Sequence, residues 1–156
     1  MLDNKGFDLW AEEYDRDVRA GDEAGEYPFA GYAQIMAEID ALITNKEKAK
    51  VLDIGIGTGF LAGKLTLGGA ELWGVDFSRE MIERTQKRLP KAKLFVADIT
   101  KGLPEEVKKE KFDFIVSTYA LHHLDEDQKA EFIILMMKLL KADGQIFVGD
   151  VSFLSV

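Results

Sequence analysis

The segment Val51-Leu52-Asp53-Ile54-Gly55-Ile56-Gly57-Thr58-Gly59-Phe60 joins an apolar, β-rich run to three alternating glycines and carries a carboxylate two residues ahead of the first glycine. Such a run reads as a buried strand entering a tight turn and then a helix. Gly55, Gly57 and Gly59 let a ligand come against bare backbone, where a Cβ would collide. A loop that cradles a pyrophosphate uses the positive end of a helix, and a carboxylate beside the phosphate opposes that. At about 4 Å and an effective dielectric of ~20, one pair of like charges costs about 4 kcal/mol before screening. The same carboxylate attracts a cation by a similar amount. Asp53 therefore selects a positively charged nucleoside ligand over a diphosphate.

The spacing agrees. A dinucleotide fingerprint reads G-x-G-x-x-G, whereas this loop is G-x-G-x-G and places Phe60 where the third glycine of that fingerprint falls. S-adenosylmethionine, with a sulfonium and an α-ammonium, has the charge the loop asks for. A purely structural turn and a dinucleotide-dependent oxidoreductase are the competing readings.

The elements that must hold this loop follow from periodicity. Lys50–Ile54, Glu71–Asp76, Lys93–Ala97, Phe112–Ser117 and Gln145–Val151 read as strands. Between them, Thr58–Leu67, Arg79–Leu89, Pro104–Lys109 and a long stretch from Asp125 to Lys141 read as helices. Ser78 is the expected N-cap of the second, and Asp125 with Gln128 three residues on resembles a capping box. Asp143-Gly144 reads as the turn before strand five. Ahead of the alternating part, residues 7–20 are amphipathic, Gly21–Gly25 is a polar break, and Pro28 opens a helix to about Asn45. Alternating strands and helices mean right-handed βαβ crossovers and a doubly wound, mainly parallel α/β sheet, Rossmann-like, with helices on both faces. The chain reads as one domain, with 1–48 a helical lid and 49–156 the core.

In such sheets ligands bind beyond the carboxyl ends of the strands. Asp53 ends strand one, Asp76 strand two and Ser117 strand four, while Asp98 follows strand three. Asp is a common turn and cap residue, so one such acid means little. Three on successive strands beside a glycine turn form a constellation. Asp76 can accept both hydroxyls of a ribose, Asp98 an exocyclic amine of adenine, and Phe77 and Ile99 can sandwich the ring. Ordinary core packing is the alternative for Phe77 and Ile99. His122 and His123 follow strand four, and imidazole can serve as a base; His122 is the catalytic candidate. Adjacent histidines diverge and no third ligand is evident, so no metal site is expected.

These segments, in this order, resemble the class I S-adenosylmethionine-dependent methyltransferases over roughly Lys50 to Ser152. Val51–Phe60 is similar to the first motif of that family, Gly74–Ser78 to the second, Val96–Ile99 to the third, and Phe112–Ser117 to the fourth. Leu140–Ile146 is similar to the turn before strand five. The resemblance implies Asp53 and the Gly55–Gly59 backbone at the methionine moiety, Asp76 on the ribose, and Asp98 and Ile99 at the adenine. It implies methyl transfer to a small molecule with S-adenosylhomocysteine as product; a binding module without catalysis is the alternative. Phe7-Asp8-x-Trp10-Ala11-x-x-Tyr14-Asp15 is similar to small-molecule members, in which the leading helices form a lid and Tyr14 faces cofactor or acceptor. Aromatic packing of that helix is the other reading. The sheet of the family has seven strands, so the sequence looks C-terminally truncated, with strand four an exposed edge and a homodimer expected.

Composition limits the partners. With a net charge of -8 and a pI near 4.8, the chain lacks the basic face nucleic acids require. The lysine-rich stretches 46–50 and 108–111 are interleaved with glutamate and read as solvated helix ends. The absence of cysteine excludes thiolate chemistry. No apolar run reaches membrane-spanning length and the N-terminus does not resemble a signal peptide, so a cytoplasmic location without membrane contact is expected.

Overall fold

The computed structural model describes residues 20–24 and 31–150. Elements are α1 (Tyr32–Thr44), β1 (Lys50–Ile54), α2 (Phe60–Leu67), β2 (Glu71–Asp76), α3 (Arg79–Arg88) and β3 (Lys93–Val96). They continue with α4 (Glu105–Lys108), β4 (Phe112–Thr118), α5 (Glu126–Lys138) and β5 (Leu140–Gly149). Single 3-10 turns, Ile99–Lys101 and Leu121–His123, follow β3 and β4. The five strands form one parallel sheet of order β3-β2-β1-β4-β5. The order reverses at β1, flanked by β2 and β4, so the loop after β1 stands at the topological switch point.

Alternation along the strands divides the core in two. Val51, Phe114 and Val116 face α1, α2 and α3, where Met36, Ile39, Ile43, Leu61, Leu65 and Ile82 meet them. Leu52, Ile54, Trp73 and Ile115 face α4 and α5, against Val107, Phe132 and Met136. The inner face of α1 is thus part of a packed layer. Residues 1–19 and 25–30 of the expected lid, including Trp10, Tyr14 and Pro28, lie outside the described residues.

Three expectations need correction. Residues 20–24, within the expected polar break, are helical. Asp22 on that turn accepts the Ala33 N–H at 3.2 Å, and the first turn of α1 needs this because its N-cap, Gly31, has no side chain. Strand five begins at Leu140, so Asp143-Gly144 lies inside it, and α5 ends at Lys138. Phe112 pairs with Leu140 but Phe114 with Gln145, and the extra residues are taken up as a bulge opposite Asp113. A Cβ on Gly144 would stand 3.0 Å from the Phe112 carbonyl oxygen. Finally, β4 is interior, paired to β1 and β5; the edges among the described residues are β3 and β5.

The bulge surrounds a buried anion. The Asp113 carboxylate, 4% exposed, accepts Lys46 Nζ at 2.7 Å, Lys141 Nζ at 3.0 Å and the Lys50 N–H at 2.8 Å. These hydrogen bonds outweigh burial and hold its pKa down at about 2. The group joins α1, β1, β4 and β5 at the end of the sheet opposite the glycine loop.

Candidate functional site

The glycine loop is held by the protein's own acceptors. Gly55 and Ile56 N–H both donate to the Val75 carbonyl (2.8 and 3.0 Å), Gly57 N–H to Asp76 Oδ2 (2.9 Å) and Gly59 N–H to the Ile56 carbonyl (3.0 Å). From α3, Thr85 Oγ1 donates to the Gly57 carbonyl at 2.8 Å and Arg88 to the Thr58 carbonyl at 2.7 Å. Four of the loop amides, those of Gly55, Ile56, Gly57 and Gly59, are thus engaged within the fold and are not aimed at a pyrophosphate.

Gly55 and Gly59 also serve contacts within the fold itself. Gly55 and Gly59 adopt φ of +75° and +79°, in the left-handed region. A Cβ on Gly55 would fall 2.5 Å from Ala120 Cβ, and one on Gly59 would fall 2.7 Å from Thr85 Cγ2. Close approach here is protein against protein: β1 to the segment after β4, and the loop to α3.

Over the loop opens a cleft of about 330 Å³, its mouth included, lined by Tyr32, Asp53, Gly55, Ile56, Gly57, Thr58, Phe60, Leu61 and Thr118. Asp53 is 2% exposed, and its Oδ1 has no hydrogen-bond partner among the described residues. Burial, and then the charge of Asp76, raise its pKa from 3.8 to about 7. An unpartnered carboxylate oxygen beneath a cleft is an acceptor awaiting a cationic donor.

The remaining sequence candidates separate. Asp76 is buried and grips backbone: Oδ2 accepts Gly57 N–H and Oδ1 accepts Ser78 N–H, both at 2.9 Å. Asp98 caps the turn after β3, accepting Thr100 N–H at 3.0 Å and Thr100 Oγ1 at 2.7 Å, with Lys101 at 3.4 Å. These bonds, the Thr100 hydroxyl first, lower its pKa. Ile99 packs on the α4–α5 side of the core. Phe77 is half-buried, its ring 6.1 Å from that of His123. Ser117 is 1% exposed with an unpartnered Oγ, but alternation turns it to the face opposite Asp53; Thr118 lines the cleft in its place.

His122 has an anchor that the sequence reading missed. Asp150, the residue after β5, accepts the His122 backbone N–H at 2.9 Å and pairs with its ring Nδ1 at 2.6 Å. His123 lies alongside, ring centroids 4.2 Å apart, and burial lowers its pKa, with the neighbouring imidazole adding to the effect. Tyr32 and Tyr119 were also missed. The Tyr32 ring lies 5.6 Å from Phe60 and 5.3 Å from Tyr119. Tyr119 holds φ +55°, a strained value for an aromatic residue, while its N–H donates to the Gly149 carbonyl at 2.7 Å. Asp150 and Tyr119 both follow strands, so the strand-end test finds them once β5 is correctly placed. No local pattern marks Tyr32, which arrives from α1.

Residues 51–144 match the model of a methyltransferase domain family. The chain belongs to this family. An uncharacterized methyltransferase of Bacillus mycoides is 39% identical over 149 residues, covering 94% of this chain and 66% of its own length; one from Bacillus anthracis aligns equally well. The chain thus spans 66% of the length of these curated relatives. A TehB-like SAM-dependent methyltransferase from Corynebacterium glutamicum superposes with a TM-score of 0.68 at 29% identity, covering 88% of this chain and 71% of its own. The fold is shared at greater distance: the DhpI–SAH complex has a TM-score of 0.72 at 22% identity, covering 92% of this methyltransferase-family chain and 65% of its own. Among the described residues, no helix is long and apolar enough to cross a membrane.

Proposed function

We propose that this chain binds S-adenosylmethionine in the glycine-loop cleft and transfers its methyl group to a small-molecule acceptor in the cytoplasm, releasing S-adenosylhomocysteine. One observation carries the reading: the buried, unpartnered Asp53 oxygen beneath a cleft whose Gly55, Ile56, Gly57 and Gly59 amides are already engaged. This arrangement suits a cation and not a pyrophosphate. Family membership and the SAM- and SAH-bound relatives of the fold support the same ligand.

The bound sulfonium supplies the methyl as an activated group whose leaving group is a neutral thioether. The chain binds, aligns and excludes water. Asp53 answers the positive charge of the methionine end, giving its own proton to solvent. Asp76 takes the ribose hydroxyls. Phe77 and Ile99 flank the adenine, with Asp98 at its exocyclic amine. Alignment for in-line displacement in a dry site can supply about 7–11 kcal/mol of the barrier.

Calorimetric titration with S-adenosylmethionine and S-adenosylhomocysteine tests the assignment, with Asp76→Ala and reduced nicotinamide cofactor as comparisons. The expected result is one-site binding that the substitution weakens by about tenfold or more. A folded chain that takes the nicotinamide cofactor and neither sulfur compound refutes it.

A further inference from the structure

Helix α5 is apolar on both sides. Phe132 and Met136 are buried in the core, while Ile133, Ile134 and Met137 on the outside are 43% to 62% exposed. Helices apolar all round are ordinarily covered all round. Two observations turn the exposed stripe toward β5. Lys129, one helical turn before Ile133, has its pKa raised by its bond to Glu126 and further by the charge of Asp150, the residue after β5. Leu135, on the opposite flank of the helix, packs against the core. Val148 of β5 is half exposed, and alternation puts it with Ile146 on the α5 face of the sheet. From Asp150 to Val148 the strand descends about 6.6 Å, and from Lys129 to Ile133 the helix descends about 6 Å. Ile133 and Val148 therefore stand level, in one apolar patch beside the edge. β5 has no strand on its outer side among the described residues. Its last residues, Gln145-Ile146-Phe147-Val148-Gly149, hold neither charge nor proline, the usual guards of an edge. The other edge, β3, is four residues long and begins with Lys93.

We infer that β5 and α5 form a two-fold interface with a second copy of this chain, in which β5 pairs antiparallel with its counterpart and the Ile133–Met137 stripe packs on its symmetry mate. The edge that invites a second copy is thus β5 and not β4. The charges of α5 favour a second copy over another partner. The helix carries Glu126 and Asp127 in its first turn and Lys138 in its last. Antiparallel strands bring the two helices together antiparallel, so the acidic end of each meets the basic end of the other, and the helix dipoles are opposed as well. The spacing fits too. A crossover helix lies over the two strands it joins, and adjacent strands stand about 4.8 Å apart, which puts the two α5 axes about 10 Å apart, the distance of packed helices. One helix face and a short strand edge make a small interface, so association in the micromolar range is expected.

Sedimentation velocity of the whole chain from about 1 to about 200 μM tests this, with a monomer expected at the low end and a dimer at the high end. Ile133→Lys and, separately, Val148→Lys set like charges near the two-fold axis and should each raise the dissociation constant by about 100-fold or more. Leu67→Lys, at an exposed apolar site on α2, should leave it unchanged. Lys138→Glu should weaken the dimer, and Glu126→Lys added to it should restore association. Circular dichroism and melting of each variant at about 1 μM, matching the parent, show that it folds. Hydrogen exchange of the Gln145–Gly149 amides should slow at high concentration and recover on dilution. A chain that stays monomeric at about 200 μM overturns the inference, and protected β5 amides in that monomer would assign the cover to residues 151–156 instead. A dimer that Leu67→Lys dissolves and Ile133→Lys spares overturns it by placing the interface elsewhere. Growth past the dimer overturns the two-fold closure, and a charge-swapped pair that fails to recover overturns the antiparallel arrangement.

Discussion

Asp53→Asn should make the ligand-free protein more stable above neutral pH while weakening its cofactor. Asp53 is 2% exposed, with one unpartnered oxygen and a pKa raised to about 7 by burial and the Asp76 charge. In the unfolded chain it ionises near 3.8. Between roughly pH 4 and 7 the folded state therefore holds a proton that the unfolded state has released, and stability falls as pH rises through that window. A shift of about three units corresponds to about 4 kcal/mol by pH 8. Asparagine does not ionise and escapes this loss, but its amide must be accommodated in the same burial at about 1–3 kcal/mol. The net expectation is a gain of about 1–3 kcal/mol at pH 8 and none at pH 4. Urea denaturation of both proteins across pH 4–8 reads it directly. S-adenosylmethionine affinity should fall by about 10- to 100-fold, the worth of one charge-assisted contact. Parent stability that stays flat from pH 4 to 8, together with a variant less stable at pH 8, would refute the claim that the empty site stores an electrostatic cost.

Other substitutions probe the frame that positions the site. Asp113→Asn should cost about 2 kcal/mol near neutrality. The pKa of Asp113 is depressed to about 2, so its contribution is present above about pH 4 and disappears as pH falls through 2; acid titration of the pair checks this. Gly59→Ala places a Cβ 2.7 Å from Thr85 Cγ2 at φ +79°, and thermal melting should show a loss of about 1–3 kcal/mol together with weaker cofactor binding. Asp125→Ala removes the side-chain half of a capping box, in which Gln128 N–H donates to Asp125 Oδ1 at 2.8 Å, and leaves the Asp125 backbone N–H bond to Gln128 Oε1; it should cost about 1 kcal/mol in chemical denaturation without touching ligand affinity.

Local chemistry made much of the frame legible. Ser78 and Asp125 cap the helices they were expected to cap, because a short polar side chain meets the same orphan N–H groups wherever the helix ends up. The glycine loop, and an acid at the ends of β1 and β2, were readable because a strand–turn–helix junction leaves its mark in adjacent residues. Asp143-Gly144 misled for the converse reason. As a dipeptide it signals a turn, but pairing with Phe112 and Phe114 and the Asp113–Lys141 bond draw it into a bulged strand.

By itself the sequence determined the α/β class, the switch-point loop and the acid that precedes it, since each rests on residues near one another along the chain. Tertiary structure decided what those residues face. Sheet alternation put Thr118 rather than Ser117 in the cleft with Asp53. Packing turned the Gly55 and Gly59 Cα atoms toward Ala120 and Thr85, and brought Tyr32 against Tyr119 and Asp150 against His122. Those assignments depend on distances between segments far apart in the chain, such as Tyr32 and Tyr119, and only the closed sheet sets such distances.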